Sequence, residues 1–194
     1  VEMALLDLAG HASGLRLIDL IGRQRRSAVR PMWLLGNPTP EQDIAEARAK
    51  TAEGFHIFKL KIGVKPLANE IAATVAMRQA LGPDTPLCAD ANGGLTRTAA
   101  RRYLDKTRSA GLMFVEQPLP PEQLDELATL TKISPVPIGA DEAIHSMADL
   151  DLHARRGVGG VSLKLIKLGG MTAALEAARR CQDLKLSVNI AAKI

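Results

Sequence analysis

"FHIFKLKIG", residues 55–63, sets two lysines inside a stretch that otherwise reads as a short buried strand. Ammonium groups are among the side chains least often found in such a place. Side chains alternate along a strand, so Lys59 and Lys61 point one way while Phe58 and Leu60 point the other. What surrounds this strand decides which face looks inward.

Outward from it, short apolar runs recur at residues 31–35, 56–62, 86–90, 112–116, 137–141, 161–166 and 186–191. Between them lie helical patterns at 39–54, 66–82, 96–111, 120–132, 146–157 and 171–185. Thr39 reads as an N-cap with Pro40 at the first helical position and Gln42 completing a capping box. Gly54, Gly82, Gly111 and Gly157 are placed to stop helices. Strict alternation of strand and helix predicts a parallel sheet, because each crossover must return over a face of that sheet. Strands spaced every 25 to 30 residues, with no large insertion, fit the near-equivalent units of a (β/α)8 TIM barrel better than the uneven halves of an open doubly wound sheet.

Seven strands are visible, and the chain stops in or just after the seventh. The expectation is therefore a partial TIM-barrel catalytic domain over residues 31–194, belonging to a longer protein. The opening residues 1–30, with "MALLDLAGHASGLRLIDLIG" read as one helix, form an N-terminal segment expected to pack on the barrel and on chain that precedes it.

With 194 residues, 46% of them hydrophobic, the chain can bury one sizeable core and lacks the composition of a disordered protein. No apolar run reaches the roughly eighteen residues of a membrane span, and the start lacks a signal-peptide pattern, so neither a membrane nor secretion is expected. Cys88 and Cys181 lie far apart without metal-type spacing, which predicts reduced core thiols and a cytoplasmic protein. The net charge of +4 is spread along the chain and only 3% of residues are aromatic, so no nucleic-acid partner is expected.

Three strands finish with an acid: Asp90 in "CADANGG", Glu116 in "FVEQPL" and Asp141 in "IGADEAI", at intervals of 26 and 25 residues. One strand-helix unit per interval places them on adjacent strands at a common height, on the C-terminal face where barrel active sites lie. Converging carboxylates repel one another unless a cation neutralises them, and an oxygen-only set favours Mg²⁺, with Mn²⁺ as a substitute. The competing explanation is that each acid caps the helix that follows it; three in register favour the metal.

Lys59 and Lys61 then reach toward these acids, and Lys164 in "VSLKLIKLGG" faces them from the sixth strand. Lys167, three residues on, falls at the opposite parity or in the loop and reads as a surface residue. A lysine near a divalent cation and other ammonium groups should have a lowered pKa and serve as a base near neutral pH. The alternative is that the lysines snorkel to the rim and pair with Asp90 or Glu116. That would explain the charges without chemistry, but not the lysine on the opposing strand.

The ordered set "KLK" at 59–61, "DAN" at 90–92, "EQP" at 116–118, "DE" at 141–142 and "LKLIKLGG" at 163–170, with "VEMALLDLAG" near the start, resembles the enolase superfamily and within it the muconate-lactonizing enzyme (muconate cycloisomerase) subgroup. The resemblance implies a catalytic barrel preceded by an α+β capping domain. It also implies that Asp90, Glu116 and Asp141 bind Mg²⁺, that Lys61 is the base on one face of the substrate and Lys164 the acid or base on the other, and that Lys59 holds the substrate carboxylate. Asn92 and Glu142 match as nearby polar partners. The substrate class implied is a small carboxylate whose α-proton is removed to give an enediolate. Cycloisomerisation, racemisation, epimerisation or dehydration are possible outcomes. The mandelate-racemase pattern of the superfamily, with histidine in place of the second lysine, does not match Lys61. A homo-oligomer is expected for the full-length protein. The other class kept in view is a metal-binding barrel fragment without turnover. Lys193 follows the seventh strand and is assigned no substrate contact, because the acid or motif expected after that strand does not accompany it.

Overall fold

The computed structural model describes residues 1–192; Lys193 lies outside the described residues. Helices α1 (Glu2–Ser13) and α2 (Leu17–Ile21) precede β1 (Met32–Leu35), α3 (Pro40–Ala52), β2 (Ile57–Lys61), α4 (Leu67–Leu81), β3 (Leu87–Asp90), α5 (Arg97–Lys106) and β4 (Val115–Glu116). There follow α6 (Leu124–Ile133), β5 (Ile138–Ala140), α7 (Met147–Arg155), β6 (Gly160–Leu163), α8 (Leu165–Leu168), α9 (Met171–Asp183) and β7 (Ser187–Ile190). All neighbouring strands pair in parallel, in the order β1 through β7. This is the curled, truncated α/β barrel that the alternation predicts.

The capping box at α3 forms as expected, with the Thr39 hydroxyl accepting from the Gln42 backbone and the Gln42 side-chain oxygen accepting from the Thr39 backbone. Three expectations are corrected. The opening segment is two helices, because Gly14 adopts a left-handed conformation (φ 67) that ends α1. Gly111 closes a single 3-10 turn at Arg108–Ala110, since α5 already ends at Lys106. The sixth strand stops at Leu163 instead of running to residue 166, and the chain turns at once into α8.

The sheet sorts its side chains by parity. Leu35, Phe58, Leu60, Leu87, Ala89, Val115, Ile138, Ala140, Val161 and Leu163 face the surrounding helices and form one core with Met77, Leu104, Leu127, Leu130, Leu150 and Ala177. The opposite faces carry Lys59, Lys61, Cys88, Asp90, Glu116 and Ser162 toward the barrel interior. Burying one apolar face of β1 through β6, at about 25 cal/mol per Å² of apolar surface, is what obliges the charged faces to meet one another.

Glu2, in the first turn of α1, accepts hydrogen bonds from the backbone and hydroxyl of Thr172 and so caps the start of α9. This ties the opening helix to the segment that follows β6.

Candidate active site

Backbone register places the interior residues. Lys61, Asp90, Glu116, Gly139 and Gly160 lie side by side along the hydrogen-bonded ladder. Asp141 is two residues beyond Gly139, so the three acids do not share a register row; Asp90 and Asp141 share the expected height, whereas Glu116 lies one level below it. Barrel stagger supplies the reason. An eight-stranded barrel with a shear of about eight shifts its level by about one residue per strand, so residues on one level come from alternate strands and sit two places off register.

On this rule Met32 and Cys88 form the lowest level, and their sulfurs are 3.4 Å apart. Lys59, Glu116 and Ser162 form the next, joined by hydrogen bonds from Lys59 and Ser162 to the two oxygens of Glu116. Asp90 and Asp141 share the level above with Leu34, and Lys61 and Lys164 share the uppermost, on strands half a barrel apart. The upper interior thus stacks a level of lysines on a level of acids, an order that spacing along the chain does not disclose.

Each acid meets ammonium groups. Glu116, 1% exposed, pairs with Lys59, which also stands 3.7 Å from Asp90. Lys61 lies 3.7 Å from the same Asp90 oxygen, Oδ2. Asp141, 2% exposed, receives Lys164 at 2.5 Å on Oδ2 and Lys167 at 2.8 Å on Oδ1. Lys167 is therefore no surface residue. Opposite parity holds only along a continuing strand, whereas one helical turn brings residues three apart back to the same side.

Burial draws the Lys59 ammonium toward a lower pKa, but Glu116 and Asp90 more than offset it and hold the group above the usual lysine value. Burial lifts the Glu116 carboxyl above its ordinary range despite Lys59. Burial also pushes the Asp141 carboxyl up, yet hydrogen bonds from Lys164 and Lys167 prevail and hold it low.

The loops after the acids are tightly made. Asn92 (φ 43) and Gln117 (φ 36) adopt left-handed backbone conformations directly behind Asp90 and Glu116, where strained residues tend to cluster at functional sites. The Asn92 backbone donates to Asp90 at 3.0 Å and its amide to Glu142 at 2.8 Å. The fully buried Gln117 side chain accepts from the Asp141 backbone at 2.9 Å, binding the end of β4 to the loop after β5.

Residues 42–193 match the family model described as enolase C-terminal domain-like. The chain belongs to this family. Among curated relatives, it is 35% identical over 173 residues to muconate cycloisomerase 1 of Rhodococcus opacus, covering 88% of this chain and 46% of that protein. It is 32% identical over 174 residues to the L-Ala-D/L-Glu epimerase of Bacteroides thetaiotaomicron, covering 88% of this chain and 43% of that one. The solved muconate lactonizing enzyme of Pseudomonas fluorescens, complexed with muconolactone, superposes with a TM-score of 0.93 at 31% identity, over 97% of this chain and 52% of that chain. The chain spans about half the length of the curated relatives it matches.

In this enolase-family barrel, the interior acids offer oxygen donors alone, which suits a hard divalent cation. Glu142 adds a buried carboxylate oxygen, Oε2, with no hydrogen-bond partner. As the side chains stand, no three acidic, histidine or cysteine groups among the described residues converge into a ready-made metal cluster. The acids are turned onto their lysines instead, so a cation would replace ammonium groups as their counter-charge. The donor chemistry fits, and the charge balance is already that of a site built around positive charge.

Three participants escaped the sequence reading: Ser162, Asn189 and Lys167. Asn189 donates to Ser162 at 3.1 Å, and Ser162 in turn to Glu116. "VSLK" and "SVNI" alternate polar and apolar residues, and that alternation was the available signal.

Proposed function

We propose that this chain is the barrel part of a Mg²⁺-dependent enzyme, with Mn²⁺ as a substitute, that removes the α-proton of a small carboxylate in the manner of muconate cycloisomerases. The observation that carries the reading is the opposition of Lys61 and Lys164 on one level of the barrel, directly above Asp90 and Asp141.

In this reading Asp90, Glu116 and Asp141 hold the cation. When bound, it supplies the positive charge that stabilises the anion left by proton removal. Lys61, as a neutral amine, takes the α-proton from one face of the substrate. Lys164 delivers or removes a proton on the opposite face. Lys59 and its ion pair with Glu116 keep a cation beneath the substrate carboxylate, while Asn92 and Glu142 brace the loop that carries Asp90. Two lysines on opposite faces serve equally a cycloisomerisation, where the anion forms by addition of a carboxylate and one lysine delivers the proton to it (removing it in the reverse direction) while the other stands by, and an epimerisation, where one removes the proton and the other returns it. Relatives of both kinds match this chain at similar identity. The buried thiols suit a reducing, cytoplasmic setting.

The test is a panel of acids, including cis,cis-muconate and the dipeptides L-Ala-D-Glu and L-Ala-L-Glu, incubated with the intact protein and Mg²⁺ in deuterated water. Incorporation of deuterium at the α-carbon, abolished by chelation, is expected. A barrel that binds Mg²⁺ and exchanges no proton across the panel would overturn the reading in favour of a metal-binding protein without turnover.

A further inference from the structure

Lys167 remains without a role in that scheme, although its side chain is only 16% exposed. Its ammonium has two acceptors, both on one residue: the backbone oxygen of Asp141 at 2.6 Å and the carboxylate Oδ1 at 2.8 Å. A lysine brought this far out of water, with its long stem ordered, costs desolvation and rotamer entropy that solvation at a rim would not.

The element that carries it is short, and Leu168 is its one side chain packed against the core. Helix α8 is four residues long, has no buried residue and no side-chain cap, and ends in Gly169 (φ 94) followed by Gly170 (φ 149). Ile166 points outward, 73% exposed. Within the turn, the backbone amides of Lys167 and Leu168 donate to the Lys164 carbonyl at 3.0 and 3.1 Å. Lys167 and the backbone of Lys164 therefore move as one unit, and the Asp141 contacts anchor that unit to the end of β5. The bond to the Asp141 carbonyl does not depend on what else the carboxylate holds.

We infer that Lys167 is a positioning residue: by gripping the Asp141 carbonyl and carboxylate together, it locks the α8 turn and so fixes where the Lys164 amine stands. This rests on the proposed role of Lys164 as the base of one face. It assigns Lys167 no contact with substrate.

The experiment uses the intact protein, its Lys167→Met and Lys167→Arg variants, and Lys164→Ala as reference. Both stereoisomers of an acid that exchanges in the panel above are followed by loss of α-deuterium into water. Lys164→Ala identifies the stereoisomer that Lys164 serves. Lys167→Met should slow that stereoisomer by about 10²-fold, the scale on which small misplacements act, and leave the other nearly unchanged. Lys167→Arg, which keeps two donors, should restore most of the loss. Amide hydrogen exchange over residues 164–169, read without substrate or metal, should quicken in Lys167→Met and not in Lys167→Arg. Equal slowing of both stereoisomers, or no slowing with amide exchange unchanged, overturns the positioning role while leaving Lys164 as a base. If Lys164→Ala spares both stereoisomers, the base assignment itself falls, and the inference with it.

Discussion

Glu116 and Lys59, 57 residues apart in sequence, form a buried ion pair across the barrel interior. The pair links β2 to β4 on the level that also holds Ser162, and it sits beneath the two acids proposed to complete a cation site. Removing one partner leaves a charge in a place where water cannot reach it, which is the costly way to break such a pair. Lys59→Met is therefore expected to lower the unfolding free energy by about 3–5 kcal/mol, measured by urea denaturation. The double variant Lys59→Met/Glu116→Leu should recover much of that loss, because no unpaired charge remains.

Acid stability should report Asp141. Its carboxyl is held below the ordinary range in the folded protein by Lys164 and Lys167, against burial. A depressed folded pKa contributes stability that is present above the unfolded value, about 3.9, and is lost as pH falls through the folded one. The raised Glu116 carboxyl acts in the opposite direction, its contribution being fullest at low pH and lost as pH rises through its folded value. Urea midpoints of the metal-free protein followed down to about pH 3 should thus decline less steeply in Asp141→Asn than in the unsubstituted protein. Parallel profiles would show that Asp141 carries no such linkage.

Neither thiol should react while the protein is folded. Cys88 and Cys181 are fully buried, and burial pushes the Cys88 thiol up to about 12 and raises Cys181 as well. With a disulfide-exchange reagent at pH 8, both are expected to label only in denaturant, since the thiolate is the reacting form. Rapid labelling of either in native buffer would contradict the packing of Cys88 under the site.

The loop behind Asp90 depends on two glycines in backbone contact. A Cβ on Gly94 would meet the Gly63 carbonyl oxygen at 2.6 Å and that of Ala91 at 3.0 Å. Neither is the end of a flexible side chain, so one strand end must move. Gly94→Ala should cost about 1–3 kcal/mol, as overpacking does, and weaken Mn²⁺ binding measured by calorimetry by shifting Asp90 relative to Lys61. Unchanged stability would mean that the loop relaxes freely.

The sequence disclosed the barrel because its signals repeat: seven apolar runs, helices between them, and an acid closing three consecutive strands. Parity alone oriented Lys59 and Lys61, since both lie within one unbroken strand. It failed at Lys167, because nothing in "LKLIKLGG" separates a strand of six residues from a strand of four that turns into a helix, and the two glycines that favour the turn come after it. The expected common height holds for Asp90 and Asp141 and fails for Glu116, one level lower, because barrel stagger is a property of the closed sheet and is invisible in spacing along the chain. Ser162 and Asn189 carry uncharged polar groups common on any solvent-facing strand. Beyond the alternation around them, only the hydrogen bonds from Ser162 to Glu116 and from Asn189 to Ser162 single them out.

The central claim is that Lys61 removes an α-proton from a carboxylate, and its most direct test is solvent deuterium exchange by the intact protein compared with its Lys61→Ala variant, each with Mg²⁺ and with chelator. The account predicts metal-dependent exchange that falls by about 10²–10⁴-fold when Lys61 is lost, the usual contribution of a positioned general base. Exchange at an undiminished rate in Lys61→Ala would contradict it.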